Sequence, residues 1–97
     1  MASVNDLKNA APGSLKLFDI RKKPDERQIP GSQRAEGEAI ESNPPFGKGD
    51  RVILYCGSGN SCSRIAGELQ QRGYANVEAL DGGYAAWVEA GLPLEDR

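Results

Sequence analysis

Val52-Ile53-Leu54-Tyr55 is an unbroken apolar run. Such a run predicts a strand buried on both faces, central in a parallel sheet. Leu15, Leu17, Phe18 and Ile20 predict a second strand ending near Asp19-Ile20-Arg21, and residues 76–80 a third. Between these, apolar residues take helical spacing. Ile65, Ala66 and Leu69 fall on one face of a helix that starts around Cys62 and stops at Gly73. Asn5 to Ala11 forms a short helix, with Leu7, Ala10 and Ala11 on its apolar side and Pro12-Gly13 as its stop. Asp81 caps a last helix carrying Ala85, Trp87 and Val88; Gly91 ends it and Pro93 prevents its return. Trp87 reads as a core anchor.

The polar segments read as connections. Residues 22–27 form a charged, solvated loop, and Ile29-Pro30-Gly31-Ser32 turns into a short extended segment. Residues 35–42 have a weak helical tendency, and residues 43–49 are a loop by their Pro and Gly content. Strands alternating with helices predict an α/β domain with a mainly parallel sheet. Ligands of such sheets gather at the carboxyl ends of the strands. Cys56 sits at one such end and Asp19 at or near another.

The size of the chain, 97 residues, suits one domain spanning residues 1–97. Charged residues are 27% of the total and the net charge is -2. With no basic patch interleaved with aromatics, nucleic acid is not expected as a partner. No run is long or apolar enough for a membrane span, and the first residues lack signal-peptide character, so a cytoplasmic location is expected. The chain has two cysteines and no histidine. That is too few for a disulfide framework, and nothing clusters as the roughly four ligands of a zinc site, so neither metal nor cofactor is expected. The commonest general base is missing as well. Any nucleophile must be activated by backbone dipoles, a cation or a carboxylate.

Cys56 is the candidate nucleophile. It closes the apolar run and opens a polar loop, Gly57-Ser58-Gly59-Asn60-Ser61, that leads into a helix at Cys62. Converging backbone N–H groups and a helix N-terminus make such a site electropositive, which favours the reactive thiolate. A cysteine there could instead serve as a small buried hydrophobe. Two glycines at this spacing argue for the loop rather than for packing alone.

Four pieces of the chain, in order, resemble the rhodanese (sulfurtransferase) family. Asp19-Ile20-Arg21 is similar to its D-V-R signature, and Ile29-Pro30-Gly31-Ser32 to its H-I-P-G-A turn. Tyr55-Cys56-Gly57-Ser58-Gly59-Asn60 is similar to its Y-C-R-S-G-N loop. Asp81-Gly82-Gly83 with Ala86-Trp87, completed by Ala90-Gly91-Leu92-Pro93, is similar to its E-G-G-x-x-A-W element. The resemblance spans roughly Val4 to Leu94 and is specific in aggregate. It implies a rhodanese-like α/β fold, a mainly parallel central sheet flanked by helices on both faces. It also implies that Cys56 takes a sulfane sulfur, becomes a persulfide and passes the sulfur on. The active-site loop would be Gly57, Ser58, Gly59, Asn60, Ser61 and Cys62. The partners would be a sulfane-sulfur donor (polysulfide, thiosulfate or a protein persulfide) and a thiol acceptor.

The chain departs from the family pattern at four places. The family loop often carries arginines directly after the cysteine and five residues after it; here these are Gly57 and Ser61. Those arginines would bind oxyanions bidentately. The histidine before I-P-G is Gln28, and the last loop hydroxyl is replaced by Cys62. Cys62 has two readings: packing at the helix start, or resolving a persulfide or forming a disulfide with Cys56. Arg64, in the first helical turn, either faces solvent or substitutes for a missing loop arginine. Asp19 either faces the loop mouth or caps a turn, and Arg21 reads as a structural ion-pair partner.

The leading expectation is therefore a sulfurtransferase or sulfur carrier acting through Cys56. The alternatives are a thiol-disulfide redox or sensor module using Cys56 and Cys62, and a catalytically weak binding module. A cysteine phosphatase fits poorly, because Cys62 stands where its loop needs an arginine.

Overall fold

A computed structural model of the chain describes residues 3–9, 15–21, 26–57 and 60–96. The elements run α1 (Val4–Lys8), β1 (Lys16–Asp19), β2 (Arg27–Gln28), β3 (Gln33–Arg34), α2 (Gly37–Ser42), β4 (Val52–Tyr55), α3 (Asn60–Gln71), β5 (Val77–Ala79), α4 (Gly83–Glu89) and β6 (Glu95–Asp96). The main sheet has the order β3-β1-β4-β5, and all of its pairings are parallel. The apolar run is β4, held between β1 and β5 with all four of its residues fully buried.

Alternation along β4 divides the core in two, because successive side chains point to opposite faces. Val52 and Leu54 join Cys56, α2 through Ile40, and α3 through Cys62, Ile65, Ala66 and Leu69. Ile53 and Tyr55 join α1 through Leu7 and α4 through Trp87. Helices thus cover both faces of a mainly parallel sheet. Among the described residues no helix is long and apolar enough to cross a membrane.

Two further contacts fix the loops around the sheet. The Tyr55 hydroxyl accepts the Ile29 N–H at 3.2 Å and lies 2.9 Å from the Ser32 hydroxyl, which anchors the Ile29-Pro30-Gly31-Ser32 turn. Burial, its largest cause, pushes the Tyr55 pKa up to about 12. Trp87 is buried and donates its indole N–H to the Pro93 carbonyl at 2.8 Å, so the last turn folds back over α4.

Several boundaries differ from the sequence reading. The first helix is Val4–Lys8, opened by reciprocal Ser3 and Asp6 hydrogen bonds; Ala10, Ala11, Pro12 and Gly13 lie outside the described residues. Asp81 does not cap the last helix. The cap is Gly82 in the left-handed region, with no side-chain cap. Arg27 is exposed but lies in a strand rather than a loop: β2 pairs antiparallel with β6, Arg27 facing Asp96 and Gln28 facing Glu95. Two-residue polar strands carry no periodicity, so nothing local announces that ribbon.

Candidate active site

Cys56 follows β4 directly and points into the face covered by α3. The N-terminus of that helix meets it. The backbone N–H of Cys62 donates to Cys56 Sγ at 3.4 Å. Cys62 is in the first turn of α3, where N–H groups have no intrahelical acceptor and the helix dipole is positive. This is a donor aimed at a developing thiolate. The Cys62 side chain is fully buried, and its Sγ lies 3.4 Å from Cys56 Sγ. Both residues are thiols. The Cys56 sulfur, first, and then burial hold the Cys62 thiol far above the ordinary range. Cys62 is thus held as a protonated thiol against the Cys56 sulfur.

A second helix N-terminus holds the backbone of the same loop. Tyr84 donates its N–H to the Cys56 carbonyl at 2.7 Å, and Ala85 donates to the Gly57 carbonyl at 3.1 Å. Gly82 and Gly83 make this approach possible with φ of 75° and 61°. A Cβ on Gly82 would lie 2.6 Å from the Ala86 Cβ. The Gly82-Gly83 pair therefore does more than turn the chain: it sets α4 beneath the cysteine loop. Gly57 shows the opposite. It is exposed, its φ is not positive, and an added Cβ would meet nothing within 4 Å. The backbone does not require glycine there.

Asp19 is fully buried and caps a turn: its carboxylate accepts the Arg21 backbone N–H at 3.0 Å. It also holds the Arg21 guanidinium, with Nη2 at 2.8 Å. The guanidinium lies over the Tyr84 ring, 3.9 Å from its centroid. Asp19 and Arg21 thus bear on Cys56 through Tyr84. Arg64 is exposed and bonds Glu41 at 2.8 Å and Glu68 at 3.3 Å. Those carboxylates hold its guanidinium between α2 and α3. Asn60 is exposed and Ser61 half-buried at the start of α3; Ser58 and Gly59 lie outside the described residues.

Beside Ser61 a pocket of about 490 Å³ opens between β1, β3 and α3. Arg21, Arg34 and Arg64 line it, together with Glu36 and Glu38. Sequence reasoning missed Arg34. The pairing of β3 with β1 carries it there, and its guanidinium donates to the Asp19 carbonyl at 3.0 Å and to the Ala35 carbonyl. Its place just after the Ile29–Ser32 turn, on a strand ending beside Asp19, is the signal that could have found it.

The family model for the rhodanese-like domain matches residues 3–90. The chain belongs to the rhodanese-like family. Thiosulfate sulfurtransferase GlpE of Actinobacillus succinogenes is 36% identical over 69 residues, covering 64% of this chain and 62% of GlpE. Thiosulfate sulfurtransferase 16, chloroplastic, of Arabidopsis thaliana is 38% identical over 50 residues, 52% of this chain and 42% of that protein. The chain thus spans less than two thirds of either curated relative. The solution structure of the rhodanese-like domain of the Anabaena sp. Alr3790 protein matches with a TM-score of 0.85 at 21% identity, over 100% of this chain and 79% of that one. That last likeness shows the fold. In this rhodanese-like domain Cys56 and Gly57 stand at the carboxyl end of the central strand, between the N-termini of α3 and α4.

Proposed function

We propose that the protein is a sulfurtransferase or sulfur carrier that moves sulfane sulfur through a persulfide on Cys56. The Cys62 N–H donated to Cys56 Sγ at the start of α3 carries this reading. A nucleophilic sulfur with a helix N-terminal donor on it is a thiolate site. In the loading step, the Cys56 thiolate attacks the outer sulfur of a donor persulfide, R–S–SH. The donor's S–S bond breaks, RS⁻ leaves, and Cys56 holds –S–SH. In the unloading step, an acceptor thiolate attacks that outer sulfur and Cys56 returns to thiolate. The Tyr84 and Ala85 N–H groups keep the loop backbone in place through both steps.

Polysulfide or a protein persulfide fits this site better than thiosulfate. Gly57 and Ser61 offer no guanidinium for a sulfonate, while Arg64 is drawn to Glu41 and Glu68. The acceptor is a thiol. The test is intact mass spectrometry after brief exposure of the reduced protein to polysulfide. A gain of one sulfur that Cys56→Ser abolishes is the expected result. An unloaded wild type with every donor class would leave a binding module instead.

A further inference from the structure

We propose that Cys62 is the resolving thiol of the loaded domain, attacking the inner sulfur of a Cys56 persulfide to give a Cys56–Cys62 disulfide and hydrosulfide. This deepens the reading of Cys56 as a persulfide carrier and rests on it. It adds a second outcome for the sulfur, release as sulfide rather than delivery to an acceptor thiol.

The geometry is that of two sulfurs already in contact. Cys56 Sγ and Cys62 Sγ are 3.4 Å apart. A disulfide needs about 2.05 Å, so closure asks for a movement of roughly 1.4 Å. Both residues have relative exposures below a tenth, 6% and 0%. The full burial of Cys62 keeps external thiols and sulfur donors from it, and Cys56 is the one other cysteine of the chain. A thiol in this position meets the sulfur of Cys56 or none.

Two attacks on a persulfide are open to a neighbouring thiol. Attack at the outer sulfur would only move it from Cys56 to Cys62. Attack at the inner sulfur expels hydrosulfide. Cys62 touches the inner sulfur, the one present before loading. Hydrogen sulfide is also a stronger acid than an alkanethiol, so hydrosulfide is the better leaving group. In-line displacement sends the outer sulfur out on the side opposite Cys62.

The step balances without an added oxidant or reductant. Written with Cys62 ionised, Cys56–S–SH plus Cys62–S⁻ gives Cys56–S–S–Cys62 plus HS⁻. The S–S bond of the persulfide breaks, the Cys56–Cys62 bond forms, and the persulfide proton leaves with the expelled sulfur. The sulfane sulfur is reduced to sulfide while the two thiol sulfurs are oxidised to a disulfide. Loading also lifts part of what restrains Cys62, while its burial remains. The Cys56 sulfur is the largest cause of its raised pKa, and a sulfur capped by another no longer carries the charge. Reopening the disulfide takes an external dithiol, which exchanges with it in the usual way. With a dithiol present, the domain would turn sulfane sulfur into sulfide repeatedly.

The test compares the reduced full chain with Cys62→Ser and with Cys62→Ala, the latter in case a buried hydroxyl disturbs folding. Each protein is exposed briefly to inorganic polysulfide, desalted, and followed by intact mass and by sulfide release without an acceptor. In the wild type the added sulfur should vanish at least tenfold faster than in the variants. One equivalent of sulfide and a Cys56–Cys62 disulfide peptide should appear with it. A wild type that passes straight to the disulfide while the variants hold the extra sulfur supports the same conclusion. Equal lifetimes without a disulfide peptide would overturn the role of Cys62 while leaving the Cys56 persulfide standing. Failure of all three proteins to load would instead overturn the persulfide reading itself.

Discussion

The backbone N–H of Tyr84 donates to the carbonyl of Cys56 at 2.7 Å, joining the start of α4 to the residue that follows β4. This contact depends on Gly82, whose φ of 75° and lack of a Cβ let the helix start there. Gly82→Ala should cost at least roughly 1–2 kcal/mol from the left-handed backbone alone, with the Ala86 contact adding to it. Gly57→Ala, in open space, should stay within about 0.5 kcal/mol. Urea denaturation of the two variants measures the difference. Equal stabilities would mean that α4 does not depend on this glycine.

Cys56 should be the thiol that alkylates. Its sulfur accepts a helix N-terminal N–H, whereas Cys62 is buried and its thiol is held protonated. Because the thiolate is the reactive form, the wild type should keep reacting below about pH 8.5, where an unperturbed thiol begins to lose its charge. Cys56→Ser should react at least tenfold more slowly between about pH 6 and about pH 9, a window that brackets the ordinary thiol pKa. An iodoacetamide rate series on both proteins, with peptide mapping, would settle it. Similar rates for the two would sink the assignment.

Thiosulfate should be a poor donor, and arginines at 57 and 61 should improve it. Each charge-assisted hydrogen bond to the sulfonate is worth roughly 1.5–3 kcal/mol, or about one to two decades in affinity. Gly57 can accept a side chain, since an added Cβ meets nothing within 4 Å. Steady-state transfer to cyanide by Gly57→Arg/Ser61→Arg gives the comparison. An unchanged apparent thiosulfate affinity in the double variant would count against the missing guanidinium as the reason.

Tyr55 should make the fold sensitive to alkaline pH. Its pKa is raised to about 12, chiefly by burial, from an ordinary value of 10.0. A group that holds its proton longer when folded contributes stability fully below the unfolded pKa. That contribution is lost as pH rises through the folded pKa, here between pH 10.0 and about 12. Tyr55→Phe should lose roughly 1–3 kcal/mol near neutral pH, because the buried Ile29 N–H and Ser32 hydroxyl lose a partner. It should also show a shallower fall in stability over the alkaline range. Parallel denaturation curves for the two proteins across that range would show that Tyr55 does not titrate with unfolding.

Local physics accounts for the features that the chain announces by itself. An apolar tetrapeptide has one comfortable place in a small α/β domain, and Val52–Tyr55 takes it as the strand between β1 and β5. Apolar residues at helical spacing mark one helix face wherever it packs, so Ile65, Ala66 and Leu69 identified the core side of α3. The placement of Cys56 at a strand end before a helix follows from these two patterns. Resemblance in four short motifs supplied the family, which the match over residues 3–90 shows.

Long-range geometry settled the rest. The β2–β6 ribbon joins residues 67–69 positions apart, and two polar residues per strand leave no periodic trace. Asp81 has the chemistry of a cap but yields to Gly82, because docking α4 on the Cys56 and Gly57 carbonyls demands a left-handed backbone that glycine supplies. Arg34 enters the pocket only through strand pairing, and Arg64 turns to Glu41, 23 residues away in sequence. The contact between the Cys56 and Cys62 sulfurs belongs to the same class. Six residues of spacing permit it, but it takes the packing of α3 against β4 to bring one buried thiol onto the other.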